Sequence, residues 1–391
     1  MKTKIVSLTL ACCLILSGCA SSVPNTQREN QPTETLSETK QENNESKSAE
    51  QTEATEETQV TPDDSFPPFT GIDISEEGLA VSTVNNKGDS LQILCSYGNT
   101  VYFSNPKDGY KLYSYNGEST KRLTDIKAYS LNYYDGCVYF LSSDIDINLY
   151  DPIPGNLYKY DTESEETTQL GDVPMCNLLV DEQGIFYTNV IEIGKDINVH
   201  QFDPQSGESV QLYRASSVQH IDGYSIANEV KPSGEYLNYF LKKDDEKIRI
   251  TSDVVALYDC IHDGVYYFWD YLSRNLYSVD LKNGEQTLLC ENSGVNYTVF
   301  DGYVYLTSGG LLVKLSDGEA EPIIAENKFT LVSHGETTEN IYGSYYIENL
   351  YSSGDALYAF VSLAGEKETF YMMAELKLSS EGDSVFIEAI D

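Results

Sequence analysis

"HDGVYYFWDYLSRNLYSVDLKNGEQTLL", residues 262–289, reads as an aromatic strand, a polar turn, a second strand, an Asn-Gly turn and a third strand. Val, Tyr, Phe and Trp fit the pleated, half-buried surface of a strand, and Asn283-Gly284 supplies the positive φ that a tight hairpin demands. The same phrase returns along the chain: "YGNTVYFSN" at 97, "DGCVYFLSS" at 135, "DEQGIFYTN" at 181, "FDGYVYLTS" at 300, "SGDALYAFV" at 353 and, more weakly, "IDGYSIANE" at 221. The marker glycines are Gly98, Gly136, Gly184, Gly223, Gly264, Gly302 and Gly354, spaced by 38, 48, 39, 41, 38 and 52 residues. A period near 43 residues is that of a propeller blade, one four-stranded antiparallel sheet per repeat.

Each marker is followed by an apolar strand, a polar turn, a strand such as "KLYSYN" or "NLYKYD", and a turn such as Asn116-Gly117, Ser206-Gly207 or Asp317-Gly318. The expectation is an all-β fold over residues 65–391, a β-propeller of about seven four-stranded blades. The weak fourth copy and the long sixth leave six and eight open. "LQILCSYGN", residues 91–99, reads as a strand outside any complete repeat, and the last repeat stops one strand short at Asp391. Closure is therefore expected by pairing the N-terminal strand with the C-terminal blade, which removes exposed sheet edges.

The repeat pattern "DG.VYF.......LY.YD...G....L" resembles a bacterial domain of unknown function that is itself similar to the propeller of the low-density lipoprotein receptor-related proteins, whose repeats carry Tyr-Trp-Thr-Asp. The resemblance covers about residues 95–370 and implies the propeller fold. Trp269-Asp270 is the nearest relic of the Trp-Thr-Asp part, so the receptors' ligand-binding residues do not carry over.

The N-terminus has Lys2 and Lys4, then an apolar run from Ile5 to Leu16, too short to span a bilayer. It ends in Leu16-Ser17-Gly18-Cys19, which resembles the bacterial lipobox and implies a signal over residues 1–18 and a diacylglyceryl group on Cys19. Residues 19–64 are Ser-, Thr-, Glu- and Gln-rich, a composition that cannot offset its ordering entropy by burial. As a coil this tether reaches roughly 35–40 Å. The expected address is the outer face of a Gram-positive cell membrane.

The formal charge of −37 belongs mostly to the region from Ser65 onward, which has 51 acids and 20 bases. Such a surface repels nucleic acid. The histidines, His200, His220, His262 and His334, show no metal-ligand spacing, and no nucleophile elbow, Walker loop or dinucleotide fingerprint occurs. His262 falls in a turn and reads as solvated. "SSDIDINLYDP" sets Asp144, Asp146 and Asn148 at alternate positions, with Asp151 beyond, which suggests calcium; the sixth and twelfth loop positions are Leu149 and Gly155, and the preferred reading is an acidic insertion. Cys95, Cys137, Cys176, Cys260 and Cys290 read as buried thiols. No cofactor is expected. The expectation is a monomeric, lipid-anchored, non-catalytic propeller that binds a surface protein, peptide or glycan. The alternative is an envelope enzyme acting on polysaccharide through loop carboxylates such as Asp144 and Asp146.

Overall fold

The computed structural model describes residues 68–79, 92–145, 153–189, 197–230, 236–241, 247–251, 256–308, 311–316, 319–325, 330–333, 336–339, 345–353, 356–364, 369–378 and 384–390. The lipobox, the tether, His334 and Gly354 lie outside them, as do Asp146, Asn148, Asp151, Asp317 and Gly318. The propeller is contained in Asp63–Asp391.

The quoted stretch forms the last three strands of blade 5, whose sheet runs Ala256–His262, Val265–Asp270, Leu276–Asp280 and Gln286–Cys290 in spatial order. Seven such antiparallel sheets make a seven-bladed propeller. In each blade the first strand is innermost: Leu94–Tyr97, Tyr129–Tyr134, Cys176–Asp181, Val218–Ile221, Ala256–His262, Tyr297–Phe300 and Tyr345–Ser353. Inner strands are mostly buried, whereas outer strands such as Glu208–Arg214 face water. Each sheet buries both faces against its neighbours, which is why its middle strands are apolar-rich instead of strictly alternating.

The marker glycines sit between the first and second strands of a blade, one strand later in the repeat than the sequence suggests. Asp135-Gly136, Asp222-Gly223, Asp263-Gly264 and Asp301-Gly302 all have positive φ at both residues, the requirement of a type I′ hairpin. The strand before each marker therefore belongs to the same blade as the strand after it.

This phase corrects the expected closure. Leu94–Tyr97 is not spare: it pairs with Thr100–Asn105 across the tight turn at Gly98, the local partner with the smallest loop-closure cost. Blade 7 is complete without it, running Tyr345–Ser353, Ala356–Ala364, Thr369–Leu378 and Ser384–Ala389. The ring closes by side-chain packing, with Tyr351, Tyr358, Phe360 and Met373 of blade 7 in one apolar cluster with Phe103, Leu112 and Tyr115 of blade 1. Tyr115 Oη donates to Glu375 Oε2 at 3.4 Å, and Thr120 Oγ1 donates to the Ile390 carbonyl. The outer edge of blade 7 is covered by Ile324–Ala325 and Thr330–Ser333, which pair parallel to Ser384–Ala389. The sheet edge thereby moves out to Glu336–Glu339, which pairs antiparallel with Thr330–Ser333 and has a glutamate at each end, a charged edge that disfavours edge-to-edge pairing.

The segment before the first blade packs under blades 4 and 5. Ile72 and Ile74 join a cluster with Phe240, Ile250 and Leu281, Phe69 lies 5.1 Å from the Phe240 ring, and the Ile72 amide donates to the Leu281 carbonyl at 2.8 Å. This segment also covers two turns. A Cβ at Gly284 would meet the Phe69 carbonyl oxygen at 2.4 Å, whereas one at Gly136 would meet nothing within 4 Å, although both residues have positive φ. Gly136→Ala is therefore expected to cost only the left-handed backbone penalty, about 1–2 kcal/mol. Gly284→Ala should cost more and free the segment, seen as a lower urea midpoint and faster chymotryptic cleavage near Phe69.

Candidate functional site

The two ends of the ring differ. One end carries the two-residue hairpins and the 68–79 segment. The other, where the inner strands begin, carries the longer second-to-third-strand connections: residues 106–110 in blade 1, residues 271–275 in blade 5, and the stretches of chain that separate Ser142 from Asn156 in blade 2 and Thr188 from Asn198 in blade 3. Loop length concentrated on one face marks the binding face of a repeat architecture.

The inner strands are irregular at that same end. Their pairing shifts register between Tyr129 and Asn132 in blade 2, between Leu257 and Cys260 in blade 5 and between Ile347 and Asn349 in blade 7; blade 3 has the same shift opposite Phe186 and Thr188. At three of these bulges a non-glycine residue takes a left-handed backbone: Ser130 (φ 52°), Asn177 (φ 47°) and Tyr258 (φ 51°). Bulges re-aim side chains, and left-handed non-glycine residues carry strain of order 1–3 kcal/mol that persists only where the surroundings over-determine it.

Here the surroundings are bonds between blades. Leu131 N donates to Gln92 O at 2.9 Å, Asn132 Nδ2 to Leu178 O at 3.0 Å, Asn177 Nδ2 to Ser216 O at 3.0 Å and Gln219 Nε2 to Asp259 O at 3.0 Å. Tyr297 Oη donates to the Tyr258 carbonyl at 2.6 Å, and Asn296 Nδ2 to the Glu348 carbonyl. These contacts stitch each blade pair from 1 to 7 near the axis.

Between blades 4 and 5 the stitching becomes a buried polar network. The Asp259 carboxylate, 1 % exposed, accepts from Tyr266 Oη at 3.0 Å and from Asn228 Nδ2 at 3.3 Å. Asn238 Nδ2 donates to Tyr266 Oη at 2.7 Å and also to Asn228 Oδ1, and Asn228 Nδ2 reaches Ser217 Oγ at 3.0 Å. Burial first, and then the Asp259 charge, hold the Tyr266 phenol well above its usual range, so it stays a donor. Of the carboxylates beside inner-strand bulges, Asp259 is sealed and Glu348 is half-buried, with Ser362 Oγ donating to its Oε1 at 2.5 Å.

The residues singled out in the sequence do not converge. Asp144 is an exposed bend residue after the second strand of blade 2. Among the described residues no group of three or more His, Cys, Asp or Glu side chains is placed to hold a metal ion. His200 stacks on Tyr187 at 5.2 Å, and His220 Nδ1 lies 2.6 Å from Asp181 Oδ2, joining blades 3 and 4. His262 is half-buried instead of solvated, because Leu79 of the 68–79 segment covers the adjoining Gly264 turn; burial lowers its pKa. The five cysteines among the described residues are free thiols, four buried and Cys290 half-buried. The bulge residues went unremarked in the sequence, yet a signal exists: five to seven residues ahead of each marker glycine stands Gln92, Ser130, Asn177, Ser217, Tyr258, Asn296 or Asn349, a hydrogen-bonding side chain in every repeat.

No family model and no curated protein matches the chain, so the resemblance to the receptor-related propeller rests on the repeat residues alone. Solved structures do resemble it. They include an oligogalacturonate lyase from Vibrio parahaemolyticus (11 % identity, TM-score 0.48, covering 78 % of this chain and 93 % of that one). A puromycin hydrolase gives 12 % identity and TM-score 0.47, covering 82 % and 56 %. The propeller domain of the trilobed protease from Pyrococcus furiosus, described as having an open velcro topology, gives 14 % identity and TM-score 0.42, covering 73 % and 95 %. The chain spans only about half the length of the puromycin hydrolase, and 52 % of a prolyl endopeptidase. At these identities the likeness is one of fold. The similar structures include lyases, hydrolases and peptidases as well as a TolB protein, and the expectation of a non-catalytic binding module is not retained.

Removing one donor from the buried network tests its role in the ring. Tyr266→Phe leaves the Asp259 carboxylate short of a bond and should destabilise the domain by about 1–3 kcal/mol in urea unfolding. Tyr158→Phe, whose hydroxyl meets Gln169 at an exposed site, should change it by no more than about 0.5 kcal/mol.

Proposed function

We propose that this protein is a lipid-anchored envelope enzyme that acts on a polysaccharide across the face where the inner strands begin. The observation that carries the reading is the half-buried Glu348 carboxylate at the blade 7 bulge, on the face of the longer loops, within a ring of inner-strand amides and hydroxyls whose bonds between blades hold that rim rigid. Glycoside chemistry runs on carboxylates. Glu348, half-buried at the blade 7 bulge of the inner strand, takes the acid–base role; Asp144, exposed after the second strand of blade 2, is a carboxylate of the same face. Asp259 is a positioning group that holds blades 4 and 5 at the rim. Kinship with the bacterial propellers that resemble the receptor-related proteins is part of the same proposal and rests on the repeat residues.

Incubating the full chain with a panel of cell-wall and plant polysaccharides should release new reducing or unsaturated ends. Glu348→Gln should lower that rate about a hundredfold or more without lowering the unfolding midpoint by a comparable factor. Absence of product from every polymer would overturn the enzymatic reading. Anchoring rests on Leu16-Ser17-Gly18-Cys19: Cys19→Ser should abolish incorporation of labelled palmitate and move the protein from the membrane fraction to the medium. Retention of both label and membrane association in that variant would refute the lipid anchor.

A further inference from the structure

The loop of blade 5 that follows Trp269 is unusual in what it shows to water. Tyr271 is 59 % exposed and Leu272 68 % exposed, on the same end of the ring as the inner-strand bulges. The loop is nevertheless held firmly. The Asp270 carboxylate accepts from the Leu272 amide at 3.3 Å, the Ser273 amide at 3.0 Å and Ser273 Oγ at 2.5 Å. The Asp270 amide donates to the Asn275 carbonyl and the Arg274 amide to the Asp270 carbonyl, each at 2.8 Å. A loop fixed by five hydrogen bonds presents its apolar tip in one arrangement, which lowers the entropy lost on binding.

Behind the tip stands a row of rings. Trp269 is buried, anchored by Nε1 donating to the Ser293 carbonyl at 3.2 Å, and it meets Tyr258 and Tyr271 edge-to-face, each at 6.1 Å between centroids. Tyr258 is the strained bulge residue of the inner strand, so the row leads from the rim of the axis to the loop tip. Three residues after Tyr271 on the same loop comes Arg274, left-handed at φ 59° and exposed, with no acceptor for its guanidinium within bonding distance among the described residues.

An exposed tyrosine and an exposed guanidinium fork on one rigid loop have the chemistry of a sugar subsite: the ring stacks on the C–H face of a pyranose, and the fork donates to its hydroxyls. The net charge of −37 opposes a polyanion approaching this surface. We propose that Tyr271 and Arg274 form a binding subsite for a neutral polysaccharide at the rim of the axis, with Tyr271 as stacking platform and Arg274 as hydroxyl donor. This deepens the enzymatic reading above and rests on it.

The test uses the full chain and soluble β-glucan, mannan and xylan as probes, with polygalacturonate as the charged comparator, in affinity electrophoresis at fixed salt. Wild-type protein should be retarded by at least one neutral polymer and less by polygalacturonate. Tyr271→Ala should weaken binding tenfold or more and Arg274→Ala severalfold, with unchanged unfolding midpoints because both side chains are exposed. Equal retardation of Tyr271→Ala and wild type, or tighter binding of polygalacturonate than of any neutral polymer, would overturn the subsite. If wild-type protein turns over a polysaccharide that Tyr271→Ala binds unchanged, the subsite falls and the enzymatic reading stands; if wild type neither binds nor turns over any polymer, both fall.

Discussion

A four-stranded sheet whose two faces are both apolar cannot stand alone, and that constraint shapes this molecule. Phe103, Phe140, Phe240, Phe268 and Phe360 come from the second or third strands of five different blades and are fully buried. Each is covered by another sheet lying against it, with the 68–79 segment adding to the cover over Phe240. A linear stack leaves two faces bare; a ring leaves none. The inner strands turn this packing into a defined assembly through hydrogen bonds that run from Gln92 and Leu131 round to Asn296 and Glu348.

The manner of closure has consequences for stability. Many rings could be locked by lending a strand from one end of the chain to the other, but here blades 1 and 7 are each built from contiguous sequence. The seam between them depends on packing around Tyr115, Tyr351 and Tyr358 and on a few side-chain bonds. Since packing is less directional than a strand ladder, the seam is the place where the ring can open at least cost. The 68–79 segment does not help there; it spends its apolar residues under blades 4 and 5.

Those same two blades hold the buried Asp259 network, the left-handed Tyr258 and the loop that presents Tyr271 and Leu272. A buried carboxylate is tolerable only when donors surround it, and Tyr266 and Asn228 provide them. The network thus fixes the inner strand of blade 5 in a strained shape, and the strained strand sets Tyr258 against Trp269. Rigidity below and exposure above are coupled through one bulge.

The repeating aromatic strand, its Asp-Gly or Asn-Gly turns and a spacing near that of one blade are local properties, so the all-β propeller and its approximate blade number were legible in residues such as Tyr266, Asp263-Gly264 and Asn283-Gly284. The phase of the repeat was not, because a strand before a glycine and a strand after it look alike until pairing is known. For that reason Leu94–Tyr97 was read as a closing strand when it is the inner strand of blade 1. Nor could residue types alone distinguish Asp144, which stays in solvent, from Asp259, which is enclosed by residues 7 to 42 positions away. Sequence patterning determined what each segment folds into, since that depends on neighbours along the chain; only the ring decided which polar groups meet, since that depends on neighbours in adjacent blades.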